Sequence, residues 1–173
     1  MHWINVGFFL ILSFALLVFT LRRKHAHRGY RLLAFECILA LIFLQAEIWF
    51  VDPLRPIQIL SWILLSSSLL LAIHGFRLLS TQGAPDQDLE NTTQLVTDGA
   101  YRFIRHPLYA SLLLFGMGAV LKQLSSLRLT VWIVLTLAVY ATGRVEERTN
   151  LERFGEPYRA YMRRTKMFIP FLF

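Results

Sequence analysis

The apolar positions of this chain fall in long unbroken runs rather than at helical or alternating intervals. Five such segments stand out: about His2 to Leu21, Tyr30 to Val51, Ile57 to Leu79, Pro107 to Leu121 and Leu127 to Thr142. A soluble domain needs polar faces on its helices, and these runs offer none. A spanning helix needs about 20 apolar residues, a length the first three segments reach. The fourth, at roughly 15 residues or about 22 Å of helix, is short. It is expected either to begin earlier, near Tyr101, or to end in the head-group layer. The pattern therefore predicts an all-α fold, a polytopic membrane helical bundle of about five transmembrane helices. A polar stretch from Ser80 to Asp98, with Gly83, Pro85, Asp86 and Asp88, reads as a linker. Beyond the fifth segment Leu151, Phe154, Tyr158 and Tyr161 recur at helical spacing, and Gly155 and Pro157 divide that tail into two short helices. Such helices lie at the membrane interface and pack back on the bundle. The organisation expected is one domain over residues 1–173: three spans in 1–80, a linker in 81–98 and a C-terminal half in 99–173.

Charge fixes the expected orientation. A formal net charge of +7 could point to nucleic acid, but the basic residues flank the apolar spans, where they meet lipid head groups instead. Nucleic acid is therefore not the expected partner; the bilayer is. Arg22, Arg23, Lys24 and Arg28 follow the first segment, whereas a signal peptide carries its positive charge in front. With the N-terminus outside, the external loops hold only Arg55, Lys122 and Arg128. The linker and the C-terminus then face the cytoplasm. Cys37 is the only cysteine, which excludes an intrachain disulfide and a two-cysteine metal site; it reads as a small apolar packer. No metal is expected, and no sequence feature points to a particular oligomeric state.

Candidate chemistry gathers late in the chain. Gly99 supplies a turn and Pro107 a helix start, so Arg102, Arg105 and His106 collect at a helix N-terminus, which favours anions. The same arginines could equally be lipid anchors. Gly116 and Gly118 within the fourth span allow a ligand or a neighbouring helix to approach closely. Glu146 and Glu147 close the fifth span, where the helix dipole calls for a nearby cation, from Arg144, Arg148, Arg153 or a ligand. Glu36, Glu47 and His74 lie at membrane depth, where ionisable groups are functional candidates. Glu36 could pair with Arg31, and His74 could line a polar cavity. Ser66, Ser67 and Ser68 are expected to bond within their own helix. No zinc spacing, phosphate-binding loop, nucleophile triad or dinucleotide fingerprint is present.

The stretches "VTDGAYRFIRHPLY", "GMG" and "EERTNLERFGEPYRAYMRRTKMFIP", in that order, resemble the isoprenylcysteine carboxyl methyltransferase and phospholipid methyltransferase family. The likeness runs from Leu95 to the end. It implies a cofactor, S-adenosyl-L-methionine, held on the cytoplasmic side by the last two spans and the tail. By position it implies cofactor-binding roles for Tyr101, Arg105, His106 and Tyr109, for Gly116 and Gly118, for the acids Glu146 and Glu147, and for Phe154, Tyr158 and Tyr161. Ala100 and Ser111 depart from the proline and glycine of many relatives. Arg144, Arg148, His74 and Glu36 are the candidates for the acceptor.

The chemistry of the donor suits those residues. A carboxylate matches Arg105 and His106, an ammonium matches the glutamates, and tyrosine faces attract a sulfonium. Methyl transfer rests on alignment and water exclusion, so no side-chain nucleophile is expected. The tail "FGEPYRAYMRRTKMFIP" most resembles the isoprenylcysteine branch, and that resemblance implies a lipophilic acceptor with a carboxylate of isoprenylcysteine type. A phospholipid amine or a small thiol is the alternative, and an NADPH-dependent membrane reductase is the alternative from another class.

Overall fold

The computed structural model describes residues 3–22, 28–84 and 92–171. Arg23, Lys24, Pro85, Asp86 and Asp88 therefore lie outside the described residues. The rest forms six α-helices: α1 (Trp3–Arg22), α2 (Arg28–Phe43), α3 (Pro56–Gln82), α4 (Pro107–Lys122), α5 (Ser126–Phe154) and α6 (Glu156–Arg164). A short 3-10 turn occupies Gly99–Arg102, and no strand occurs among the described residues. The all-helical membrane architecture expected from the hydrophobic runs is the one observed. Three helices, α1, α3 and α5, are long and apolar enough to cross a bilayer. α2 and α4, at 16 residues each, are about 24 Å long, short of the ~30 Å hydrocarbon core.

α3 packs most extensively on α4 and α2 on α5, while α1 leans chiefly on α2. The core gathers Ala34, Cys37 and Leu41 of α2 with Ala119 and Val120 of α4 and Leu135, Ala138 and Val139 of α5. Cys37 is thus the packer expected. Large apolar side chains such as Phe8, Phe14, Leu70, Ile73 and Leu137 face outward, as in a protein whose solvent is lipid.

The buried positions of α3 are Gln58, Ser61, Ser68 and Gly75. They make a narrow stripe, and α4 lies antiparallel along it. Ser61 Oγ donates to the Gly118 carbonyl at 2.7 Å, and Ser68 Oγ to the Ser111 carbonyl at 2.8 Å. Gln58 Nε2 donates to the Lys122 carbonyl at 2.8 Å, and Gly75 rests against Pro107 and Leu108. Ser68 therefore reaches across the interface instead of bonding within its own helix. With no apolar driving force between helices in lipid, close backbone approach and such hydrogen bonds hold the pair.

Two boundaries differ from the sequence expectation. α2 stops at Phe43 instead of continuing to Val51, and residues 44–54 wind through turns. Its terminal carbonyls are met by distant side chains: Trp49 Nε1 donates to Ile42, and Arg128 Nη2 to Leu44 at 3.0 Å. Such tertiary capping leaves no trace in hydropathy. α5 runs on past Thr142 to Phe154, so the first tail helix is the extension of a span. Ser125 caps its start by accepting the Arg128 amide. Gly155 ends it with φ +60, a conformation only glycine takes readily.

Candidate functional site

The turn before α4 is set from α3. Gly99 has φ +55, and a Cβ there would lie 2.5 Å from His74 Nε2. That nitrogen accepts the Ala100 amide at 3.3 Å. His74 thus shapes the turn. Ile104 then forms an isolated parallel bridge with Lys166 in the segment after α6. Arg105 N–H donates to the Lys166 carbonyl at 2.8 Å, His106 N–H to Met167 at 3.1 Å, and Lys166 N–H back to Phe103 at 3.2 Å.

This bridge brings α4's start and the tail against the far end of α5. Glu147, whose side chain is 3% exposed, accepts Arg105 Nε at 2.6 Å. The same guanidinium donates from Nη1 to the Thr165 carbonyl at 2.5 Å and the Met162 carbonyl at 3.4 Å. His106 sits between the two acids, with Nδ1 3.5 Å from Glu146 and Nε2 3.7 Å from Glu147. Tyr109 donates its hydroxyl to Glu146. Adjacent residues on a helix point about 100° apart, so Glu146 and Glu147 can flank one ring from two directions. Burial alone would lower the His106 pKa, but the two glutamates outweigh it and the net displacement is upward.

Aromatic rings enclose the group. His106 stacks on Tyr109 and touches Phe168, while Phe154, Tyr158 and Tyr161 form a chain of ring contacts along α5 and α6. Tyr161 donates to the Tyr101 carbonyl at 2.6 Å, which closes the circle back to the 3-10 turn. Tyr101, Arg105, His106, Tyr109, Glu146, Glu147, Phe154, Tyr158 and Tyr161 are therefore brought together from four separate stretches of chain.

Other candidates lie elsewhere. A Cβ on Gly116 would meet Trp132 and Leu135 of α5, and one on Gly118 would meet Leu65 and the Ser61 carbonyl of α3. Both glycines face helix contacts well along α4 from His106. Glu36 accepts Ser13 Oγ at 2.8 Å and ties α1 to α2. Arg144 and Arg148 are exposed on the outward face of α5.

A further feature escaped the sequence reading. An apolar cleft of about 740 Å³ opens beside the cluster, between α3, α4, α5 and the tail. Leu71, Phe103, Leu113, Met117, Trp132 and Tyr140 line it. Phe168 belongs to its wall and also touches the His106 ring, so cleft and ionisable cluster share a boundary. Its lining residues come from five stretches at no common interval, which is why periodicity gave no signal.

Compared with known families, the chain matches the model of the phospholipid methyltransferases over residues 57–156, more than half its length. It belongs to this family. No curated protein matches it. The enzyme is accordingly a membrane methyltransferase of the kind that uses S-adenosylmethionine. The match starts at α3, well before the stretch in which the motifs stand, and ends at Glu156, before the aromatic positions of α6. Its methyl-transfer chemistry sets it apart from the dinucleotide-dependent reductases considered as an alternative.

Proposed function

We propose that this methyltransferase binds S-adenosylmethionine at the cluster around His106 and Glu146 and methylates the polar end of a lipid whose hydrocarbon chain occupies the adjoining cleft. One observation carries this: an almost wholly apolar cleft meets, at Phe168, a buried set of ionisable groups. Cavities of roughly 300–1,000 Å³ with a few convergent polar groups are typical small-molecule sites. His106 Nε2 is enclosed 3.7 Å from Glu147, so the ring's part is to hold the two acids together, with Glu146 the more accessible of them.

The donor supplies an electrophilic methyl on a sulfonium, and the residues supply placement. Glu146, with more access than Glu147, suits the ammonium of its amino-acid end. The rings of Tyr158 and Phe154 suit the sulfonium face. Arg105 holds Glu147 and the tail in place, so its part is to position the acids. Gly116 and Gly118 serve by letting α4 close on its neighbours. Exclusion of water by the aromatic ring set would favour in-line transfer. The orientation that fits the charge distribution puts the N-terminus outside and this site at the cytoplasmic face, and residues 1–173 act as one domain.

Two acceptor classes meet the description, a carboxylate of isoprenylcysteine type and a phospholipid amine. The test offers purified enzyme a labelled methyl donor with vesicles of phosphatidylethanolamine or with a farnesylated cysteine. A base-labile methyl ester identifies the carboxylate, and a base-stable N-methyl product identifies the amine. Labelling of neither lipid, with transfer to a water-soluble thiol, would defeat the lipid reading. The donor site is tested separately: Glu146→Gln should weaken binding of S-adenosylmethionine about tenfold, as for loss of one charge-assisted hydrogen bond. Unchanged affinity would remove Glu146 from the site.

A further inference from the structure

The cleft beside the His106 cluster has a far end, and one aromatic side chain stands there. On α3, α4 and α5 the lining residues most distant from the cluster are Leu64, Met117 and Trp132. α3 and α5 both run antiparallel to α4, so these three residues lie close to one level. From Pro107, where α4 begins, to Met117 is about 15 Å along the helix axis. That depth is half of the ~30 Å hydrocarbon core. The exposed members of the wall, Phe103, Leu137, Tyr140 and Ile169, lie nearer the tail, whereas the three at the far end are half-buried.

Trp132 is fixed in this position from two sides. Its Nε1 donates to the Leu113 carbonyl at 3.1 Å, across the contact between α4 and α5. A Cβ on Gly116 would lie 2.8 Å from its Cδ1 and 3.4 Å from Nε1, so the indole rests on bare helix backbone at that glycine. Gly116 is thus the seat of a ring that a larger residue would displace. An indole held in this way keeps its place, where a methionine with three rotatable bonds would adapt.

We propose that Trp132 is the stop of the cleft and sets the length of hydrocarbon chain that this methyltransferase accepts. The inference rests on the reading that the cleft takes the acceptor's chain. A staggered carbon chain advances by roughly 1.25 Å per carbon, so about 12 main-chain carbons fill the depth down to the indole. A farnesyl group or a lauroyl chain has that length. A geranylgeranyl or oleoyl chain is longer, meets the ring and must buckle or leave the cleft, which pulls its polar end out of line with the donor. The limit is the same whether that polar end is a carboxylate or an amine.

The test measures kcat/KM of the purified full chain for S-farnesyl and S-geranylgeranyl cysteine and for dilauroyl and dioleoyl phosphatidylethanolamine. Within the class that is methylated, the shorter chain should be preferred about tenfold, as for misfit in an apolar pocket. Trp132→Ala should abolish or reverse that preference. Trp132→Phe, which keeps a smaller ring on Gly116 and so spares the packing, should reduce it. Both variants should bind S-adenosylmethionine as the wild type does, since the indole stands at the far end of the cleft from His106. Leu137→Ala, on the exposed side of the wall, should leave the ratio unchanged. Equal use of both lengths by the wild type, an unchanged ratio in the Trp132 variants, or the same shift in Leu137→Ala would overturn the stop and leave lipid methylation standing. A wild-type enzyme that methylates none of these lipids would overturn both.

Discussion

Without its Glu147 carboxylate, Arg105 would keep two backbone carbonyls and no counter-charge, at a side-chain exposure of 11%. Breaking a buried pair from one side costs about 3–5 kcal/mol. Glu147→Ala should therefore lower Tm sharply and lose cofactor binding with it, whereas Glu146→Gln should weaken binding about tenfold with little change in Tm. Parallel measurement of both quantities separates the acid that holds the site from the acid that faces the ligand. His106 adds a pH signature. Its folded pKa is raised, so the stability it contributes is present in full below the unfolded value of about 6.5 and is lost as pH rises through the folded value. Thermal scans of the ligand-free protein should show Tm falling across that window, and His106→Asn should flatten the slope. At this scale the sequence was informative about identities and silent about partners. Arg105, His106, Glu146 and Glu147 stood out by type and position, but that the basic and acidic pairs engage each other needed the fold.

α3 and α4 meet through a stripe of small and polar residues, Ser61, Ser68, Gly75, Ser111 and Gly118. Gly118→Val should force α3 and α4 apart, since even a Cβ would lie 2.9 Å from Leu65 and 3.1 Å from the Ser61 carbonyl. Overpacking of this kind costs about 1–3 kcal/mol. Ser68→Ala removes one interhelical hydrogen bond and should cost only about 0.6 kcal/mol. Denaturant titration in mixed micelles that ranked the two in reverse would contradict this account of the interface. Gly155→Ala strains the joint between α5 and α6 by about 1–3 kcal/mol and should weaken cofactor binding through misplaced Tyr158 and Tyr161. The existence of each helix was legible because apolar runs of this length have few other uses. The ends were less so: α2 stops where Trp49 and Arg128 cap it, and both contacts join residues far apart in sequence or outside any periodic pattern.

Across the whole molecule, the ionisable cluster around His106 gathers at one end of an apolar body, with the apolar cleft beside it. Filling that cleft should separate its two roles. Leu113→Trp or Met117→Trp should lower kcat/KM for the lipid acceptor at least tenfold while leaving S-adenosylmethionine affinity unchanged. Equal loss of both would show that the cleft does not belong to the acceptor. Family and membrane character could be read from the chain because they rest on composition and on motifs near one another. The cleft could not, because its walls are assembled from five distant stretches.

The parallel pairing of Phe103–His106 with Lys166–Met167 joins segments about sixty residues apart, so it can form only after the later one has been synthesised. Every hydrophobic helix precedes Thr165, so a nascent chain still tethered to the ribosome can insert α1 to α5 while Arg105 and His106 lack their backbone partners. The framing of Arg105 and His106 by the tail's backbone is therefore completed only after α1 to α5 have been made.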